Sequence, residues 1–270
     1  MSSPAPIGAF DSGVGGLSIL IEVRKLLPNE DLIYLADSAH CPYGVKPLEE
    51  IQRRSLEVTD YLVSFGIKAL VVACNTACVA GLEQVREKYA GLPVIGVEPA
   101  VKPAHEVTKN GKIGVLATQL TLNGDRFTHL VERYGAGVEV LTQPAPGLVE
   151  LVEAGKIDSP ETEAVLTRYL EPLLKNEVDT LVLGCTHYPF LRPLIQKICG
   201  PGVAIIDTGK AVAAQTRRVL ENKGILNPAA QPGREIFYTT GDPEEITKTI
   251  NKLWPKGPGI HSMSVFKAEV

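Results

Sequence analysis

Two cysteines occupy matching places in two similar segments of the chain. Ala69-Leu-Val-Val-Ala-Cys-Asn-Thr76 and Thr180-Leu-Val-Leu-Gly-Cys-Thr-His187 both run through aliphatic residues into a cysteine and then into short polar residues, and Cys185 follows Cys74 by 111 positions. A thiol just ahead of a helix N-terminus feels the positive end of the helix dipole, which favours thiolate over thiol. Each unit by which its pKa drops below about 8.5 makes the thiolate about 1.4 kcal/mol easier to form. Such a group can take a proton from a weak acid or attack an electrophile. A solitary buried cysteine is ordinarily a small inert hydrophobe, but the matched placement of Cys74 and Cys185 argues for a shared task. Cys41, Cys78 and Cys199 have no such twin and are assigned to structure.

Metal ligation is the competing chemistry, because Cys74, Cys78, Cys185 and His187 are all zinc donors. Their spacings, C-x3-C and C-x-H separated by 111 residues, fit no common zinc pattern, and no metal site is assigned. A third polar turn, Asp11-Ser-Gly-Val-Gly-Gly16, follows an aliphatic run and opens a helix. Its backbone N–H groups could cradle an anion. The glycine spacing matches neither the dinucleotide fingerprint nor the phosphate-binding loop. Asn75-Thr76 and Thr186-His187 sit in equivalent turns, where short polar side chains can cap a helix or hold a carboxylate with the same geometry.

The elements that must position these residues alternate along the chain. Short aliphatic and β-branched runs at 7–10, 32–36, 69–73, 94–97, 113–117, 138–141, 180–183 and 204–206 read as strands, with helical patterns at 48–65, 79–89, 125–134, 161–175 and 211–223. That rhythm predicts an α/β fold with mostly parallel sheets covered on both faces. Ile95-Gly-Val-Glu-Pro-Ala-Val101 also lines up with Ile206-Asp-Thr-Gly-Lys-Ala-Val212 at a spacing of 111, and Ile7-Gly-Ala-Phe-Asp-Ser12 with Ile113-Gly-Val-Leu-Ala-Thr118 at 106. Three pairs in order read as an internal duplication. Two pseudo-symmetric α/β halves would then meet at a cleft, with both thiols at strand carboxyl ends where α/β sheets bind ligands.

Composition removes several classes of function. The 270-residue chain is 44% hydrophobic and carries a net charge of -4, so it can bury a large core and shows no electrostatic footprint for nucleic acid. It has neither a signal-peptide pattern nor an apolar run long enough for a membrane span. A cytoplasmic, soluble protein acting on a small molecule is expected, with its five cysteines reduced. Pro/Gly-rich stretches at 227–233 and 255–259 read as surface connections.

Taken together, Asp11-Ser-Gly-Val-Gly-Gly16, Pro42-Tyr-Gly44, Ala73-Cys-Asn-Thr-Ala77 and Gly184-Cys-Thr-His-Tyr-Pro189 resemble the signature of bacterial glutamate racemases. The resemblance spans nearly the whole chain and extends to Ile206-Asp-Thr-Gly-Lys-Ala-Val212 and Tyr238-Thr-Thr-Gly-Asp242. It implies racemisation without a cofactor, by a thiolate on one face of the α-carbon and a thiol on the other, with Cys74 and Cys185 exchanging roles with direction. It implies Asp11 as helper to Cys74, and His187 with Glu153 as helpers to Cys185. Glu150 is the alternative registration of the acidic helper within Leu148-Val-Glu-Leu-Val-Glu-Ala-Gly155. Asp11, Ser12, Tyr43, Gly44, Asn75, Thr76, Thr186 and His187 would hold the substrate, with Thr118 and Thr121 adding a hydroxyl contact or only capping a helix. The resemblance further implies a first domain of 1–98 plus 213–270 and a second of 99–212, D-glutamate supplied for peptidoglycan, and a homodimer among the open assemblies. A racemase or isomerase of the same superfamily acting on aspartate or another small acid, and an amino-acid-binding module, are the rival readings.

Overall fold

The computed structural model describes residues 2–255 and 265–270. Most of the connection expected at 255–259 falls outside the described residues. The strands are β1 (Ile7–Asp11), β2 (Leu32–Ala36), β3 (Ala69–Val72), β4 (Val94–Gly96), β5 (Lys112–Ala117), β6 (Glu139–Pro144), β7 (Thr180–Leu183), β8 (Ala204–Ile206), β9 (Glu235–Thr239) and β10 (Val265–Lys267). The helices are α1 (Leu17–Leu26), α2 (Leu48–Val63), α3 (Asn75–Lys88), α4 (Val101–Val107), α5 (Gln119–Asn123), α6 (Asp125–Tyr134), α7 (Leu148–Glu153), α8 (Pro160–Lys175), α9 (Arg192–Cys199), α10 (Gly209–Lys223) and α11 (Pro243–Leu253). None of these helices is long and apolar enough to cross a membrane.

Every strand pairing is parallel, in two sheets ordered β10-β9-β2-β1-β3-β4 and β6-β5-β7-β8. The order β2-β1-β3-β4 recurs as β6-β5-β7-β8, and so does the register. Ile7 pairs with Ala69 as Ile113 pairs with Thr180, and Leu70 pairs with Val94 as Leu181 pairs with Ile205. These are the residues that the spacings of 106 and 111 bring into alignment. In each half the strand order reverses between the first and third strands, so a crevice opens at their carboxyl ends. Asp11 and Cys74 stand at one such crevice; Thr118 and Cys185 stand at the other.

The strands are aliphatic because helices cover both faces of each sheet. β1, β2, β3 and β7 are buried along their whole length. Helix α3 starts four residues earlier than its apolar pattern suggests, because the Cys74 sulfur caps it by accepting the Ala77 N–H at 3.4 Å. β9 and β10 extend the first sheet beyond the repeated core, and periodicity alone did not reveal them. The first sheet thus draws on residues 7–96 and 235–267, the second on residues 112–206. We propose two units along this division, with the last crossing drawn ahead of Gly209 so that α10 stays whole against α1.

One buried ion pair fixes the turn that faces the crevice. The Asp37 carboxylate, at the end of β2, is fully buried and accepts bonds from Arg54 Nη2 at 2.7 Å and Nε at 2.9 Å. It also accepts the Tyr43 hydroxyl at 2.6 Å and the Thr240 hydroxyl at 2.8 Å. Burial alone would raise the Asp37 pKa, but the Arg54, Tyr43 and Thr240 bonds outweigh it and hold the group below its ordinary value. A depressed carboxylate pKa contributes stability above the unfolded value, and that contribution is lost as pH falls through the folded one. Asp37→Asn leaves the buried Arg54 with only the half-exposed Glu57, 2.7 Å from Nη1, as its charged partner and should cost up to about 3–5 kcal/mol. In thermal melts the gap between wild type and Asp37→Asn should be full at neutral pH and close only well below pH ~4. A gap unchanged into strong acid would show that the pair is not its source.

Candidate active site

The two crevices face one another across a narrow, partly open cleft, with Cys74 and Cys185 both in its wall. Ser12, Asn75 and Thr76 line it from the first half; Thr118, Thr186 and His187 line it from the second. The turn at Pro42, Tyr43 and Gly44 closes one side, and Val149 another. A larger cavity of about 560 Å³ lies alongside and shares Pro42, Gly44, Thr118 and Val149 with it.

On the first wall, Cys74 Sγ lies 4.0 Å from Ser12 Oγ, and Asp11 sits behind them, fully buried. Asp11 Oδ2 accepts the Gly16 N–H at 2.8 Å and the Thr186 hydroxyl at 3.4 Å, while Oδ1 is buried without a partner. The expected lowering of the Cys74 pKa by the helix terminus is overturned. Burial and the neighbouring Asp11 carboxylate push the thiol well above its ordinary value, and the Ala77 N–H offsets them only in part. Burial likewise raises Asp11, against the pull of His187. In a dry pocket the desolvation of an anion exceeds what one helix terminus returns.

The second wall is built differently. Cys185 precedes a 3-10 turn at Tyr188–Leu191 and not an α-helix, so no helix dipole follows it directly. Its partner is His187, whose Nδ1 is 3.7 Å from Cys185 Sγ and whose Nε2 is 2.6 Å from Glu153 Oε1. Burial would lower the His187 pKa, but its bonds to Cys185, Cys41 and Glu153 prevail and hold it well above the ordinary value. The ring therefore carries a proton at neutral pH. Glu153, at the end of α7, is the acidic residue that reaches the site, whereas Glu150 is exposed and lines only the outer cavity.

The glycine-rich turn holds an anion belonging to the protein. Val14 N–H donates to Glu153 Oε1 at 2.7 Å and Gly16 N–H to Asp11. A Cβ on Gly13 would fall into the Glu153 carboxylate, and one on Gly15 into the His187 ring. These glycines therefore permit close approach between the halves, and the turn's amides are spent on the two acidic helpers.

The remaining polar residues divide by whether their atoms are free. Both side-chain polar atoms of Asn75 are buried in the cleft wall without a hydrogen-bond partner among the described residues, which makes Asn75 a candidate to meet a polar ligand. Thr76 and Thr118 hydroxyls meet at 3.1 Å across the cleft. Thr118 also caps α5, accepting the Thr121 N–H, and stands in the cleft lining. Thr121 is fully buried behind these two and lies outside the lining, supporting them through hydroxyl contacts of 2.9 and 3.4 Å. The Tyr43 hydroxyl is taken by Asp37, leaving its ring and backbone to face the cavity. Gly44 packs so near Thr118 that an added Cβ would stand 2.9 Å from the threonine Cβ.

Two features escape the sequence pattern. Cys41, assigned to structure, lies 4.0 Å from Ser12 Oγ and beside His187; its adjacency to Pro42-Tyr-Gly44 was the available signal. Thr240, within Tyr238-Thr-Thr-Gly-Asp242, anchors Asp37 and accepts the Ala39 N–H at 3.1 Å. Cys78, by contrast, is structural: its sulfur lies 3.3 Å from Val72 O and 3.2 Å from Val97 N.

Fold and site together define a two-lobed α/β protein with a cysteine in each wall of one cleft and a carboxylate behind each wall. A family model described as Asp/Glu/Hydantoin racemase matches residues 18–216. The chain is similar to the glutamate racemase of Pseudomonas syringae, 51% identical over 93% of this chain and 90% of the relative. It is similar to the crystal structure of a glutamate racemase isoform from Bacillus anthracis, at 35% identity and a TM-score of 0.86, with 98% of each chain covered. It is also similar to the Francisella tularensis glutamate racemase in complex with D-glutamate, at 30% identity and a TM-score of 0.83, covering 97% of this chain and 96% of that one. The chain belongs to the Asp/Glu/hydantoin racemase family, among its glutamate racemases.

Removing the Glu153 charge should release the histidine. In Glu153→Gln the imidazolium loses its carboxylate partner, so its pKa should fall by about one pH unit or more. Histidine ring resonances followed across pH by NMR would read this directly. An unmoved His187 midpoint would mean that the ion pair does not govern its protonation.

Proposed function

We propose that this cleft interconverts L- and D-glutamate by two-base proton transfer, with Cys74 facing one side of the α-carbon and Cys185 the other. The observation that carries the reading is the placement of two thiols in opposite walls of one small cavity. Inversion through a planar carbanion needs a base on one face and an acid on the other, held in line. Cys74 takes the proton from D-glutamate while Cys185 returns one, and the roles exchange from L-glutamate. Asp11, made a stronger base by burial, is suited to relieve Cys74 of its proton. His187, protonated and braced by Glu153, keeps a proton within reach of Cys185. Asn75, Thr76, Thr186, Ser12, Thr118 and the Tyr43 and Gly44 backbone hold the carboxylates and amine. The Francisella structure with D-glutamate supports a glutamate-sized ligand. By the same family reading, the protein works in the cytoplasm without a cofactor and supplies D-glutamate for peptidoglycan.

Because enantiomers have equal free energy, kcat/KM must be the same in both directions and must fall equally in any variant. Cys74→Ala and Cys185→Ala should each reduce it by at least about 10³-fold. Cys78→Ala and Cys199→Ala should leave it largely intact. Near-normal racemisation by either Cys74→Ala or Cys185→Ala, measured by circular dichroism, would overturn the two-thiol mechanism. In deuterated water the product should carry deuterium while residual substrate is initially unlabelled; early label in substrate would indicate a single base. Aspartate should turn over far more slowly, because one methylene less misplaces a buried carboxylate relative to its donors. Comparable rates would move the assignment to aspartate.

A further inference from the structure

One group of side chains beside the cleft has donor chemistry that proton transfer does not use. Cys41 comes from the turn after β2, Glu153 from the end of α7 and His187 from the loop after β7. One ligand atom of each lies within 4.8 Å of the other two. Zinc ligands at about 2.0–2.3 Å from a tetrahedral ion stand roughly 3.3–3.8 Å apart, so the set needs to draw in by only about an ångström. Cys41 is partly exposed and lies in a turn, which gives an ion a way in and the thiol room to move.

We propose that Cys41, Glu153 and His187 form a binding site for a thiophilic divalent transition-metal ion, Zn²⁺ being the natural test, and that its occupancy switches the second wall off. Thiolate, imidazole and carboxylate suit zinc and its neighbours and disfavour magnesium and calcium. Glu153 Oε1 already serves Val14 and His187, but Oε2 has no hydrogen-bond partner among the described residues and is free to ligate. Without an ion, burial keeps the Cys41 thiol protonated, its pKa pushed up to about 12. On binding, the Cys41 S–H and one His187 N–H bonds break, and the two protons leave to solvent. The sulfur and nitrogen lone pairs then bond to the ion. The thiolate and the Glu153 carboxylate balance its two positive charges, which leaves the buried site neutral. Three protein donors leave a fourth position open to water or a substrate carboxylate.

The inhibitory consequence rests on the role proposed above for His187, whereas the binding site itself does not. An ion there ties up the ring that holds a proton for Cys185 and clips the first half's turn to the second half. The metal is thus an inhibitor and not a cofactor, so a chelator should raise or preserve activity.

Cobalt gives a readout independent of turnover. The reduced protein should bind one Co²⁺ with a thiolate-to-cobalt charge-transfer band and the intense visible absorption of a four-coordinate ion. Cys41→Ser should abolish the charge-transfer band and weaken Zn²⁺ by about 100-fold or more in competition with a chromophoric chelator. Cys185→Ala should keep the band. Glu153→Gln should weaken binding while keeping the band, a second variant should Cys41→Ser prove misfolded by circular dichroism. Zn²⁺ should inhibit racemisation of wild type reversibly by chelator, with the inhibition constant rising in Cys41→Ser by the factor lost in binding. Absence of a cobalt band, its loss in Cys185→Ala instead of Cys41→Ser, or equal Zn²⁺ affinity in Cys41→Ser would overturn the site. A normal band without inhibition would leave the site standing and count against His187 in the racemase mechanism.

Discussion

Glu153 Oε1 receives a hydrogen bond from each half of the molecule, the Val14 N–H of one and the His187 ring of the other. That shared acceptor brings the glycine-rich turn against the second half closely enough to form one cavity. Space for it exists only because positions 13 and 15 are glycines. The Ser18 hydroxyl adds a second tie, donating to Thr186 O at 2.7 Å. The cleft is thus defined by charge-assisted bonds across it, which in a low-dielectric interior are stronger and more directional than apolar contact. The halves also share continuous apolar packing beneath the site.

Dryness is the price of this arrangement, and it sets the electrostatics. Burial raises Asp11 and Cys74 together, so negative charge on the first wall is disfavoured, and the Asp11 carboxylate further opposes ionisation of the thiol. The second wall reaches the opposite balance through the Glu153 and His187 pair, which keeps a positive charge beside the cavity. The His187–Glu153 ion pair and the Asn75 amide, without a partner among the described residues, supply polar groups on opposite walls. The pocket's polarity is therefore unevenly distributed, although its strands are superposable in register.

Duplication explains the shared part and divergence explains the rest. Ser12 and Thr118 are counterparts at the ends of β1 and β5, as Cys74 and Cys185 are at the ends of β3 and β7. The position matching Asp11 is Ala117. The second half takes its acid from α7, which the first half's pattern does not contain at that place, and carries it through His187. Two halves with the same backbone plan thereby place different titratable groups beside their two cysteines.

The amino-acid sequence by itself determined the strand rhythm, the parallel α/β class and the duplication, because each is written in local periodicity and in repeated residue types. It also singled out Cys74 and Cys185 as a pair, since their matched positions are a one-dimensional fact, and the fold brings both to one cleft. Strands 32–36 and 180–183 fall where their apolar runs predict, because strands buried on both faces show as unbroken aliphatic segments. The protonation of Cys74 was decided only in three dimensions: the helix terminus is local, but the burial and the Asp11 carboxylate that outweigh it come from chain far away. The choice of Glu153 over Glu150 depended on which face of a short helix meets His187. Cys41 came to the site through a turn held by Asp37, Arg54 and Thr240. Those three residues lie on separate elements, and charge pairing in the core, with no trace in periodicity, is what joins them.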